Sequence, residues 1–191
     1  MSKEGRTGVS ANTPKNILFG AGTIHKGLSY TGSAWNFDES IVGATSGGSK
    51  LSIVPEVTKV EVDGALVATK GLSVKTGETA TMEINFIELT EDIIKAGTLG
   101  NAGTSEDTNY SVIVSKADIA EGDYWDNIAF VGKTLSGENI IAILENALCT
   151  SGFEQEGKNK EGAIGKYTFE CHAELTSDLD TLPWKIYYPK A

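Results

Sequence analysis

Residues 167–175, YTFECHAEL, alternate without a break: Tyr167, Phe169, Cys171, Ala173 and Leu175 fall on one side, Thr168, Glu170, His172 and Glu174 on the other. Successive side chains of a strand point to opposite faces, so this period-two pattern specifies a strand with one dry face and one wet face. The pattern recurs in TATMEINFIEL, where Met82, Ile84 and Phe86 oppose Thr81, Glu83 and Asn85, and again at Trp184, Ile186 and Tyr188. A chain of half-wet strands must bring its dry sides together, which points to antiparallel sheets closing on a common core. The 22 glycines against 4 prolines suit strands joined by turns better than a helical bundle.

The remaining segments fill in around these strands. NILFGAGTI, 16–24, predicts a first strand with a glycine kink, followed by the packing aromatics Trp35 and Phe37 and a loop at GATSGGSK, 43–50. Strands are expected over 51–62, with Pro55 marking an edge or irregularity, and over 65–69; between them lies the Asp63-Gly64 turn of VEVDGALVATKG, 60–71. In TEDIIKAG, Thr90 can cap a short helix, Glu91 and Asp92 favour its first turn, and Gly97 can end it. A polar linker over 97–109 leads to a strand at 110–115. DNIAFVGKTLSGENIIAIL reads as two strands around Ser136-Gly137, although Ile140, Ile141, Leu144, Ala147 and Leu148 also satisfy a helical stripe. Residues 1–16 are polar and aperiodic and are expected to be a flexible arm, with residues 17–191 forming one domain. The resulting class is mainly β: an antiparallel sandwich or barrel with one short flanking helix.

The formal net charge of −10 disfavours binding nucleic acid through a basic groove. Cys149 and Cys171 both lie in apolar stretches and are expected as buried free thiols. The N-terminal residues contain no apolar signal segment, and the longest apolar run, IIAIL at 140–144, is far too short to span a membrane.

Chemical motifs are sparse. GATSGGSK has Ser49 where a phosphate-binding loop needs lysine, and the next residues read as a strand where that loop needs a helix. Gly20 and Gly22 have dinucleotide-turn spacing, but His25 stands where the third glycine belongs. His172 lies between Glu170 and Glu174, as a solvated cross-strand partner would. Glu121, Asp123 and Asp126 lack calcium-loop spacing, and no zinc pattern occurs, so neither metal nor cofactor is expected. Carboxylate pairs such as Glu138 with Glu145 are common by chance in an acidic chain. The expectation is a protein that is not an enzyme.

The order NILFGAGTI, GATSGGSKLSIVPEVTKVEVDGALVATKG, ATMEINFIELTEDIIKA and GKYTFECHAELTSDLDTLPWKIYYP resembles the major tail proteins, or tail tube proteins, of tailed bacteriophages, especially those of Gram-positive hosts. The likeness runs from about Asn16 to Pro189, with EVDGA…KG and PWKIYYP its most specific parts; residues 100–125 contribute nothing to it. The resemblance implies a β-sandwich or barrel with a flanking helix. It implies hexameric rings stacked into a hollow tube, contacts with other tail proteins, and DNA passing through the lumen without specific binding. It also implies synthesis in the bacterial cytoplasm, work in the virion tail, and no membrane partner. A tube of a phage tail-like bacteriocin or type VI-like particle is the alternative that the same likeness allows.

On that reading Lys59, Glu61, Asp63, Glu83 and Asn85 are candidates for a lumen-facing wall, and an acidic wall would let phosphates slide past. Thr45, Ser46 and Lys50 from the first loop, and Leu99 and Asn101 from the linker, are candidates for contacts between rings. One alternative is a β-sandwich binding module recognising glycan or a cell-surface partner through Trp35, Tyr124 and Trp125; another is a hydrolase with a dispersed carboxylate site.

Overall fold

A computed structural model describes residues 8–177 and 179–190. The fold is mainly β. Its strands are β1 (Leu18–Lys26), β2 (Thr45–Lys59), β3 (Ser73–Phe86), β4 (Asn101–Gly103), β5 (Val112–Val114), β6 (Trp125–Thr134), β7 (Asn139–Cys149), β8 (Gly165–Cys171) and β9 (Trp184–Tyr187). The helical pieces are α1 (Thr13–Asn16), α2 (Phe37–Ser40), α3 (Glu91–Thr98) and one 3₁₀ turn (Glu121–Asp123). All but β4 and β5 belong to one antiparallel sheet ordered β1-β6-β7-β8-β3-β2, with β9 added to β7 beside β8.

The alternation explains how this sheet encloses its core. Met82, Ile84 and Phe86 of β3 and Tyr167, Phe169 and Cys171 of β8 turn to the same side. There they meet Ile24 of β1, Ile128 of β6, Leu144 of β7, and Ile93 and Ala96 of α3. Successive strands of one sheet surround this core, with α3 laid against it. Each fully buried aliphatic or aromatic side chain of this kind contributes about 1.5–3 kcal/mol. Strands β6 and β7 are dry on both faces, because Ala129, Val131, Ile141 and Ile143 form a second core on the opposite side with Leu28. Trp35 and Phe37, from the segment between β1 and β2, cover that second core.

The strand reading of 139–149 holds, since residues buried on both faces imitate a helical stripe. The kink in β1 is real: its register against β6 shifts between Phe19 and Thr23, where Gly22 takes φ 69° against the Phe130 ring. Pro55 lies on β2, the last strand in the sheet order. Thr90 caps α3 by accepting from the Ile93 amide at 3.4 Å. Cys149 and Cys171 are free and buried.

Several boundaries differ. Residues 45–50 are strand, because the glycines at 47 and 48 form an irregularity in β2 between the pairs Thr45–Phe86 and Ser49–Ile84. The stretch 65–69 is not a strand: β2 ends at Lys59, β3 begins at Ser73, and 60–72 is a loop. Helix α3 runs past Gly97 to Thr98 and ends on Leu99, which takes the left-handed conformation at φ 49°. Strand β8 stops at Cys171, so His172, Ala173, Glu174 and Leu175 lie outside it despite their alternation. Within the expected flexible arm, Thr13–Asn16 forms one helical turn; residues 1–7 lie outside the described residues. Two single-turn helices, α1 and α2, accompany the one short helix expected.

Candidate functional site: a polar sheet face and a projecting hairpin

The outward side of β2, β3 and β8 carries polar residues whose pattern is set by strand pairing. Lys50 lies opposite Glu83, Glu83 opposite Thr168, and Asn85 opposite Lys166. Glu83 accepts from Lys50 Nζ at 3.0 Å through one carboxylate oxygen and from Lys166 Nζ at 3.0 Å through the other. These contacts, Lys166 first and Lys50 second, hold its carboxyl below the usual glutamate range. Asn85 donates from Nδ2 to the Gly48 carbonyl at 3.2 Å and so ties β3 to the irregularity in β2. Two lysines around one carboxylate leave a local charge of +1 here (2 − 1), which departs from the acidic wall expected of Glu83.

The other end of the β2–β3 pair is different. Strand β8 pairs with β3 only over Thr81–Phe86, whereas β2 follows β3 as far as Lys59–Ser73. Beyond Thr81 the ladder therefore has two strands. Val54, Val57 and Val74 are exposed along it, and the connecting loop presents Leu66 at 97% and Val67 at 78% exposure. Lys59 closes β2, while Glu61 and Asp63 lie in this exposed loop. Lys59 is nine residues from Lys50, about 30 Å along a strand at ordinary rise. The five wall candidates thus divide into two groups at opposite ends of the hairpin, and Glu61 and Asp63 are not on a strand face.

The other candidates are also separated. Thr45, Ser46 and Lys50 belong to β2, where Thr45 pairs with Phe86 and Lys50 with Glu83. Leu99 caps α3 and Asn101 opens β4 opposite Val114, in the separate β4–β5 sheet. Lys166, which completes the bracket on Glu83, is absent from the sequence-derived candidates; its outward place in the alternation of β8 was visible, but its partner depends on register. Leu66 and Val67 were missed because their segment reads as a strand with a buried side.

Residues considered for other chemistries have ordinary partners. Asp123 pairs with Lys116 in a half-buried contact, and among the described residues no group of three or more His, Cys, Asp or Glu is placed to hold a metal. His172 Nδ1 bonds the Glu170 carbonyl at 2.9 Å, and its ring meets Tyr124 edge-on. Burial raises the Cys149 thiol and pushes Cys171 up to about 12, so neither supplies a thiolate near neutrality. Trp125 is buried against Phe169 in the main core, whereas Trp35 stacks on Phe37 over the second. The aromatics considered for sugar binding therefore form no common exposed platform. No helix among the described residues is long and apolar enough to cross a membrane. A scan against protein-family models and a search of curated proteins found no match to the chain.

Proposed function

We propose that the protein is a structural subunit that assembles with copies of itself into rings and, by stacking, into a hollow tube of the phage tail type. The observation that carries the self-assembly is the hairpin: two strands extend past the core and end in a loop whose Leu66 and Val67 are almost fully exposed. A two-stranded ribbon with an apolar tip gains stability when its edges and tip are covered. A second copy of the chain can provide both, and closed rings satisfy every copy equally. The ring order, the stacking and the DNA conduit rest on the resemblance to tail tube proteins described above.

In this reading the β2–β3–β8 face is the wall candidate. Glu83 holds both Lys50 and Lys166, so a passing polyanion meets paired cations with one excess positive charge here, not an acidic wall. The function is passage, with no bond made or broken. Negative-stain microscopy and sedimentation of the purified chain over a concentration series should reveal six-fold rings or tubes. A protein that stays monomeric at every concentration and salt would overturn the proposal.

A further inference from the structure

Asp63-Gly64 is the only place in the chain where an aspartate or asparagine is followed by glycine. The pair forms the centre of a tight turn, closed by the Ala65 amide donating to the Val62 carbonyl at 3.0 Å, and Gly64 takes φ 88°. Both residues are exposed, and a Cβ built on Gly64 would meet no atom within 4 Å. Among the described residues nothing bonds or pairs with the Asp63 carboxylate, and the Gly64 amide has no acceptor. Few backbone bonds hold the surrounding loop: besides the turn itself, the Val60 amide donates to the Leu72 carbonyl at 2.7 Å and the Leu72 amide to the Thr69 carbonyl at 3.2 Å. The hollow inside the loop, about 560 Å³, is lined by residues of the segment Lys59 to Ser73 and by no other part of the chain. A segment that packs only on itself rearranges locally without disturbing the core.

We propose that Asp63 is a modification site of the chain's own making: its link to Gly64 isomerises spontaneously to an iso-aspartyl link. The Gly64 nitrogen attacks Cγ of the protonated Asp63 carboxyl. An N–Cγ bond forms, the Cγ–OH bond breaks, and the hydroxyl leaves with the amide proton as water, giving a five-membered succinimide. Water then adds to one of the two ring carbonyls. Opening at Cγ restores the aspartate; opening at the main-chain carbonyl leaves the chain running through Cβ and Cγ, with the former main-chain carbonyl as a free carboxylate. The net change is an isomerisation, and water is the only co-reactant. The attack requires a nitrogen shielded by no side chain, a carboxyl held by no partner, and a backbone free to bring them together. Asp63-Gly64 meets all three conditions. Asp107 is the contrast: it too is exposed, but its Oδ1 accepts from the Asn109 amide at 2.9 Å and from Asn109 Nδ2 at 2.8 Å, and the β-branched Thr108 follows it. The iso-aspartyl product lengthens the main chain just before Leu66 and Val67. The reaction belongs to the single chain; its bearing on assembly rests on the self-association proposed above.

The purified full chain, incubated in water enriched in heavy oxygen and then digested with trypsin in ordinary water, tests this by mass spectrometry with electron-transfer fragmentation, which distinguishes the two linkages. Cleavage after Lys59 and Lys70 isolates Asp63 as the one aspartate of its peptide, and cleavage after Lys95 and Lys116 does the same for Asp107. The Asp63 peptide should gain heavy oxygen and iso-aspartyl fragments with time, while the Asp107 peptide gains neither. Asp63→Asn, which expels ammonia in place of water, should react faster; Asp63→Glu, which would have to close a larger ring, should lose the iso-linkage. Both substitutions lie on an exposed loop and leave the fold intact. Heavy oxygen entering the Asp63 peptide no faster than the Asp107 peptide would overturn the site, as would an Asp63→Asn chain that keeps its amide. Isomerisation in a chain that never forms rings would support the site and overturn only the assembly.

Discussion

Lys166 on β8 reaches Glu83 on β3 across a single strand pairing, Nζ to Oε2 at 3.0 Å, while Lys50 on β2 takes the other oxygen. Three strands are joined by one carboxylate. Because all three groups are solvated, Glu83→Gln should leave the thermal midpoint of the isolated chain nearly unmoved at physiological salt. It should instead raise retention of polyanions, since two lysines lose their counter-ion; the salt needed to elute the chain from heparin reads this directly. Unchanged elution would mean that the face does not set the chain's interaction with phosphate.

Replacing Leu66 and Val67 by Asp should block assembly without weakening the subunit. Both side chains are almost wholly exposed, and surface changes away from special features usually stay within about 0.5 kcal/mol. The expected result is an unaltered urea midpoint together with loss of rings in the micrographs. Rings formed by the double variant would show that the hairpin tip is not the contact.

Phe169 is fully buried against Trp125, so Phe169→Ala should cost about 3–5 kcal/mol, read as a lowered urea midpoint with little change in slope. Gly97 tests close packing in a different way. A Cβ there would sit 2.8 Å from Tyr167 Cε1 and 3.2 Å from the Gly152 carbonyl. Gly97→Ala should therefore destabilise the fold even though alanine is the better helix former, because α3 cannot remain in place against β8.

Stability should fall on the acid side in two stages. Burial lowers His25 in the fold, so the unfolded chain takes up its proton first; stability declines as pH drops below about 6.5 and stops declining once the folded histidine also titrates. Glu78, held down by Trp184 and then Lys75, Glu83, by Lys166 and then Lys50, and Glu91, by Lys95 and then Ser111, act at lower pH. Their contribution is present above the free glutamate value of about 4.3 and is lost as pH falls through their folded values. Urea midpoints measured across this range should show both stages, and His25→Gln should remove only the first.

Period two along 81–86 and 167–171 was enough to assign β3 and β8, to choose their inward residues and to identify the class as mainly β, because alternation depends only on the local geometry of a strand. The Thr90 cap was legible for the same reason: donor and acceptor are three residues apart. Nothing local brings Lys166 to Glu83 or places His25 beneath Ser40, since those contacts depend on strand order and register between segments far apart in the chain. The loop at 60–72 shows the converse: its apolar residues alternate well enough to read as a strand, yet no neighbouring strand pairs with them. Local pattern determined which side chains prefer to be dry. Tertiary pairing decided which of them are covered, because covering a face requires a second surface that the segment itself does not contain.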